Sequence, residues 1–176
     1  MRLAGALVAT PTMVPDKKGI YAWYFSPVPR RVPLRDYIQV GEWTLLYIGI
    51  AGHELGGKQT LRGRILRRHL EDHCATSTLR VSLGCLLADD LGLRMVRTMK
   101  GSLSFTDTEP LLTAWMLQHA SVTWIENEQP WLIEAAAFAE FGHLLPLNIK
   151  DNKRNPFRVD LMKLRKACKS KTQMDQ

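Results

Sequence analysis

Apolar and polar positions fall into blocks along the chain, and the rhythm of each block predicts an element. GIYAWYF (Gly19–Phe25) is β-branched and aromatic, which predicts a strand closed by Pro27, Pro29 and Pro33, residues that cannot donate to a ladder. EWTLLYIGIA (42–51) is almost continuously apolar, as expected of a central buried strand, and SVTWIE (121–126) predicts a third. Between the first two runs an irregular connection carries Arg30, Arg31 and Arg35, and residues 52–59 form a glycine-rich loop. Thr60 can cap a helix reaching about residue 73. At ~100° per residue, Leu61, Arg62, Ile65, Leu66, His69, Leu70 and His73 share one half of that helix, and Arg67 and Glu71 take the other. Arg64 and Arg68 fall on the outer half near the boundary.

Further along, Ser77 or Thr78 opens a helical stretch to Leu87, and residues 93–105 predict a β excursion. Residues 108–119 predict a helix with Thr108 as cap and Pro110 in its first turn. Pro130 starts another, ended by Gly142, and a basic helix is expected near residues 156–169. The first 18 residues predict only a lead-in.

Length and composition bound the answer. A chain of 176 residues, 45% hydrophobic and 23% charged, suits one globular domain. The expected division is a core at about 19–149 and a basic tail at about 150–176. No apolar run approaches the ~18–20 residues of a spanning helix, and the stretch at 3–9 is a poor signal peptide. Cys74, Cys85 and Cys168 are odd in number and lack CxxC spacing, which predicts reduced thiols and a cytoplasmic location.

Charge is placed unevenly. The net +7 sits almost wholly in residues 150–171, where nine basic side chains face only Asp151 and Asp160. Such a strip attracts polyanions, although a solvated helix face would look the same. In WLIEAAAFAEF (131–141), Glu134 shares a face with Ala137, Phe138 and Phe141, whereas Glu140 points the other way. A carboxylate on an apolar face needs a metal ion, an arginine partner or a raised pKa.

Tyrosine stands on the first two strands, in Gly19-Ile20-Tyr21 and in Tyr47-Ile48-Gly49. These two motifs are followed, in order, by LRGR (61–64), the isolated Glu134 and PLN (146–148). In that order they resemble the GIY-YIG endonuclease superfamily. The resemblance implies an α/β (α+β) fold with a small three-stranded antiparallel sheet flanked by helices. It matches Tyr21 and Tyr47 to the motif tyrosines, Arg64 to the helical arginine, Glu134 to the metal-binding carboxylate and Asn148 to the trailing asparagine. It further implies DNA as substrate and a single Mg²⁺ or Mn²⁺ on Glu134, with 5′-phosphate and 3′-hydroxyl products. Arg64 would stabilise the phosphorane, Tyr21 is the candidate general base, Tyr47 would position water, and Asn148 would order the loop.

The chain departs from the family pattern at Ile50, where many members carry lysine; Lys58 would substitute if the glycine loop folds back. Position 68 is Arg, with His69 one residue on, placed to contact phosphate, assist the base or fill the core. Arg62, deeper in the apolar arc, competes with Arg64. Arg68, Lys58, Lys153, Arg154 and Arg158 are candidate nucleic-acid contacts, and a protein partner or homodimer could supply specificity. Three other readings fit parts of the sequence. An inert DNA-binding module would keep the fold without the chemistry. A nucleotide hydrolase would use the near P-loop at 52–59 with the acid of Leu86-Leu87-Ala88-Asp89-Asp90. Zinc would need His69, His73 and Cys74 together.

Overall fold

The computed structural model describes residues 1–53, 57–71, 74–97, 103–170 and 173–174. Its elements run β1 (Arg2–Leu3), α1 (Ala4–Ala9), β2 (Gly19–Phe25), β3 (Gln39–Val40) and β4 (Trp43–Ala51). A π-helix (Gly63–Glu71) follows, then α2 (Thr78–Leu86), α3 (Ala88–Leu91), β5 (Val96–Arg97) and β6 (Leu103–Ser104). The chain continues through α4 (Glu109–His119), β7 (Ala120–Glu126), α5 (Pro130–Phe141), α6 (Arg158–Ser170) and β8 (Gln173–Met174).

The main sheet is antiparallel with order β1-β7-β2-β4-β3. It therefore has five strands rather than the expected three. The three long strands are the predicted ones, and the additions are two-residue edges too short to show a periodic signal. One edge comes from the segment read as a lead-in: Arg2 and Leu3 pair with Val122 and Ser121, and α1 buries Ala4 and Leu7. A second small sheet, β6-β5-β8, realises the predicted β excursion.

Alternation along β2 sorts its side chains onto two faces. Tyr21, Trp23 and Phe25 join the larger core with Leu61, Ile65 and Leu70 of the arginine-bearing helix and Leu79 and Leu83 of α2. Ile20, Ala22 and Tyr24 meet Ile133, Ala137, Phe138 and Phe141 of α5 on the opposite face. Trp23 pairs with Tyr47 but Tyr24 with Leu45, leaving Leu46 as a bulge. That extra residue resets the alternation of β4 and puts Tyr47 with Tyr21 in the larger core.

Ser77 caps α2, its Oγ accepting the Arg80 amide at 3.1 Å. Thr108 behaves differently from the expected cap: its hydroxyl donates to the Phe105 carbonyl at 2.6 Å. Buried Arg80 and Glu109 pair at 2.7 Å and tie α2 to α4. Among the described residues no helix is long and apolar enough to cross a membrane.

Candidate active site

Only the first half of β4 is covered by β3, at Trp43 and Thr44, so its second half would present an open edge. The segment after α5 runs along it. Leu147 donates to the Leu46 carbonyl at 3.0 Å. Asn148 accepts from Ile48 N at 2.9 Å and donates to Ile48 O at 2.8 Å, so one amide side chain replaces a strand neighbour. Asn155 Nδ2 donates to the carbonyls of Pro146 and Asn148, and Arg158 Nε to that of Ile149. The segment so pinned turns at Asp151, in the left-handed region at φ 59°, which Asp tolerates better than most residues. It presents Lys150 and Asp151 to a cleft of about 390 Å³.

That cleft gathers side chains from distant parts of the chain: Tyr47 and Gly49 of β4, Arg64 and His69 of the π-helix, Ser77, Glu134 of α5, and Asn148. The π geometry explains Arg64. Its i→i+5 hydrogen bonding widens the turn, and Arg64 and His69 line the same cleft as Tyr47 of the sheet. A wheel at ~100° per residue puts Arg64 on the outer boundary instead. Arg62 is directed elsewhere, its Nε donating to the Val14 carbonyl at 2.8 Å, and it lines a neighbouring cavity.

Tyr21 is only 1% exposed and stands behind this wall. Its hydroxyl lies 2.7 Å from His69 Nε2, with the Arg64 guanidinium and the Tyr47 phenol close by. The glycine of Tyr47-Ile48-Gly49 makes this possible, because a Cβ at position 49 would come within 2.5 Å of the Tyr21 Oη. Burial raises the Tyr21 pKa above the ordinary phenol value, with Arg64 pulling in the opposite direction. Burial, with Tyr21 beside it, raises Tyr47 as well. His69, 1% exposed, has its pKa lowered well below the usual imidazole value by burial and then by Arg64, Arg80 and Arg68. It is therefore neutral at pH 7.

Glu134 is half-buried, and burial followed by repulsion from Asp151 raises its pKa, against Arg64 and Lys150. Among the described residues it forms no hydrogen bond or ion pair. The buried Arg64 Nε likewise lacks an acceptor. A carboxylate without an ion-pair partner and an arginine whose buried Nε lacks an acceptor thus line one cleft. No group of three His, Cys, Asp or Glu suited to a metal ion occurs among the described residues. The cleft carboxylates Glu134 and Asp151 are oxygen donors that fit a hard ion retaining most of its waters, such as Mg²⁺ or Mn²⁺.

The other predicted residues fall nearby or away. Lys58 and Arg68 line the cavity of about 440 Å³ next to the cleft, sharing Gln59 and Arg64 with it. Arg158 joins Lys150, Arg165, Lys166 and Lys169 along a groove of about 500 Å³ on the other side, sharing Thr78, Ile149 and Lys150 with the cleft. Lys153 is exposed, and Arg154 donates to the Ala139 carbonyl at the end of α5. Arg31 pairs with Asp89 beside a different cavity. The stretch holding Asp89 and Asp90 is helical, not the strand that a nucleotide-hydrolase reading requires, while Glu54, Leu55 and Gly56 of the near P-loop lie outside the described residues. His73 of the zinc reading also lies outside them, and the ring nitrogens of His69 are engaged by Tyr21 and Ser77.

Lys150, Asp151 and Ser77 escaped the sequence reading. The first two belong to no periodic pattern, and Ser77 was legible only as a cap. Comparison with known proteins agrees with the geometry. No curated protein and no solved structure matches the chain. A family model, described as the GIY-YIG catalytic domain, matches residues 19–167. With both tyrosine motifs on paired strands against the arginine-bearing helix and Glu134 opening into the same cleft, the chain belongs to the GIY-YIG nuclease family.

Proposed function

We propose that this chain is a divalent-metal-dependent endonuclease that hydrolyses phosphodiester bonds in DNA, working in the cytoplasm. One observation carries the reading: Glu134, which has no ion-pair partner among the described residues, and Arg64, whose buried Nε lacks an acceptor, line the same cleft as Tyr47, with Tyr21 behind it hydrogen-bonded to His69. Glu134, with Asp151 beside it, would hold Mg²⁺ or Mn²⁺, and the bound ion would supply Lewis acidity for hydrolysis of the phosphodiester. Arg64, permanently charged and short of one acceptor, is poised to take a non-bridging phosphate oxygen as charge builds on it. Tyr47 meets the attacking water at the cleft wall, and Tyr21 behind it is the base toward which the proton moves. Asn148 acts indirectly by fixing the loop that carries Lys150 and Asp151. Cleavage on this reading leaves a 5′-phosphate and a 3′-hydroxyl.

The substrate assignment rests on charge. Basic side chains flank the cleft on two sides: Lys58, Arg67 and Arg68 in one cavity, and Arg158, Arg165, Lys166 and Lys169 along the other groove. Such contacts position a phosphate backbone without reading its sequence, which leaves specificity to a protein partner or a second copy. The test is a cleavage assay on linear, nicked and branched DNA with Mg²⁺, Mn²⁺ or EDTA. Scission in the presence of metal, lost in Glu134→Ala while DNA binding persists, is the expected result. Salt-sensitive binding with no scission under any metal would instead identify an inert DNA-binding module.

A further inference from the structure

We infer that Ser77 is the exit of a proton relay running from Tyr47 through Tyr21 and His69, with both of its ends opening into the same cleft. The inference rests on the nuclease reading above. Tyr21 Oη lies 2.7 Å from His69 Nε2, and His69 Nδ1 lies 2.8 Å from Ser77 Oγ. Tyr47 and Tyr21 both stand against the His69 ring, at 6.2 and 5.4 Å between ring centroids, and Tyr47, His69 and Ser77 all line the cleft.

The direction of each bond follows from chemistry. Tyr21 is a phenol that keeps its proton at neutral pH, so it donates to Nε2, and a neutral imidazole must then carry its own proton on Nδ1. That N–H donates to Ser77 Oγ, which also accepts the Arg80 amide at 3.1 Å. With both acceptor positions filled, the Ser77 hydroxyl hydrogen is left to point at the cleft.

A relay ending at His69 would create an imidazolium in the larger core. Tyr21 and Tyr47 face that ring from the sheet, Arg64 and Arg68 from its own helix, and Arg80 from α2, where it also donates to the His69 carbonyl at 3.1 Å. Three cations and two neutral phenols make a poor seat for a fourth cation. Ser77 removes the difficulty. As the attacking water's O–H bond breaks, its proton bonds to Tyr47 Oη, and the Tyr47 proton passes to Tyr21. The Tyr21 proton moves to Nε2, the Nδ1 proton moves to Ser77 Oγ, and the Ser77 hydroxyl proton leaves into the cleft. Each electron pair stays on the atom that gives up its proton. The imidazole changes tautomer without acquiring charge, and one proton is released overall.

Ser77→Thr, Ser77→Ala and Ser77→Asn separate the relay from the capping role. Threonine keeps a cap and a hydroxyl; asparagine keeps a cap and an acceptor but has no hydroxyl proton to pass on. Single-turnover cleavage should stay within about 2-fold in Ser77→Thr and fall about 10²-fold in Ser77→Ala and Ser77→Asn, at unchanged DNA affinity. The solvent-isotope proton inventory should change from multi-proton in the wild type to fewer protons in those two variants. Imidazole ¹⁵N NMR, which needs no turnover, should show His69 as the Nδ1–H tautomer in wild type and Ser77→Thr, and altered in Ser77→Ala. Wild-type rates in Ser77→Ala and Ser77→Asn, or a resting Nε2–H tautomer, would overturn the relay. Failure of the wild type to cut under any metal would overturn the nuclease reading instead, while the NMR measurement still decides the hydrogen-bond chain.

Discussion

Arg64 and Glu134 share the cleft with unmet needs of opposite sign, and that sets what single substitutions should do. Lysine at position 64 would keep the charge but lose the planar fork that reaches Tyr21 and the cleft together. Arg64→Lys should therefore lower single-turnover cleavage by about 10²–10³, the usual loss for removing a transition-state donor, with DNA affinity little changed. Gly49→Ala has a different cause. Its Cβ would stand 2.5 Å from the Tyr21 hydroxyl, so the ring must move and break its hydrogen bond to His69. Loss of cleavage together with a lowered Tm is expected there, and wild-type values for both would contradict the packing described. At this scale the sequence was most legible where a residue type is chemically unusual for its place, as with a carboxylate on an apolar helix face. Lys150 and Asp151 are ordinary residues in a turn, and only the fold makes them neighbours of Glu134.

At the scale of elements, periodicity located every long strand and helix but could not announce a change of helical geometry. The segment around Arg64 has an amphipathic pattern compatible with an α-helix, and its widening to π form is what brings Arg64 and His69 to one side. Two-residue strands carry too little pattern to be read, so β1 and β3 were invisible while β2, β4 and β7 were not. The α2–α4 junction is held by the buried Arg80–Glu109 pair. Burial alone would raise the Glu109 pKa, but hydrogen bonds from Arg80 and from the Cys74 and Phe105 amides outweigh it and hold the carboxyl below its ordinary value. A folded-state pKa below the unfolded one gives stability that is complete above the unfolded value, about 4.3, and is lost as pH falls through the folded value. Glu109→Gln should destabilise the protein by about 3–5 kcal/mol near neutrality, since it strands a buried guanidinium. Denaturant titrations should show the gap from wild type shrinking below about pH 4. A gap that widens on acidification would refute the assignment. Asn148→Ala leaves Ile48 N and O unpaired along the β4 edge and should cost about 1–3 kcal/mol per stranded group, read by the same titrations.

Across the whole molecule, charge and topology converge on one cleft. The excess positive charge lies in the last segment of the chain, and α6 brings part of it back beside the cleft through the groove that shares Thr78, Ile149 and Lys150 with it. Sequence alone could locate that charge but not its direction, because the turns that return it depend on Asn148, Asn152 and Asn155 bonding to distant backbone. With basic walls on two sides, a strand crossing the cleft would be gripped before and after the scissile phosphate, so no free end is needed. Covalently closed circular DNA should therefore be cut. Each phosphate contact contributes about −0.9 to the slope of log K against log salt on duplex DNA. The double substitution Lys166→Ala with Lys169→Ala should flatten that slope by about 2 and weaken binding similarly on all sequences, while leaving the single-turnover rate on saturating DNA near that of wild type. An unchanged slope would show that the α6 groove does not carry the strand, and cutting only from ends would show that the cleft is not crossed.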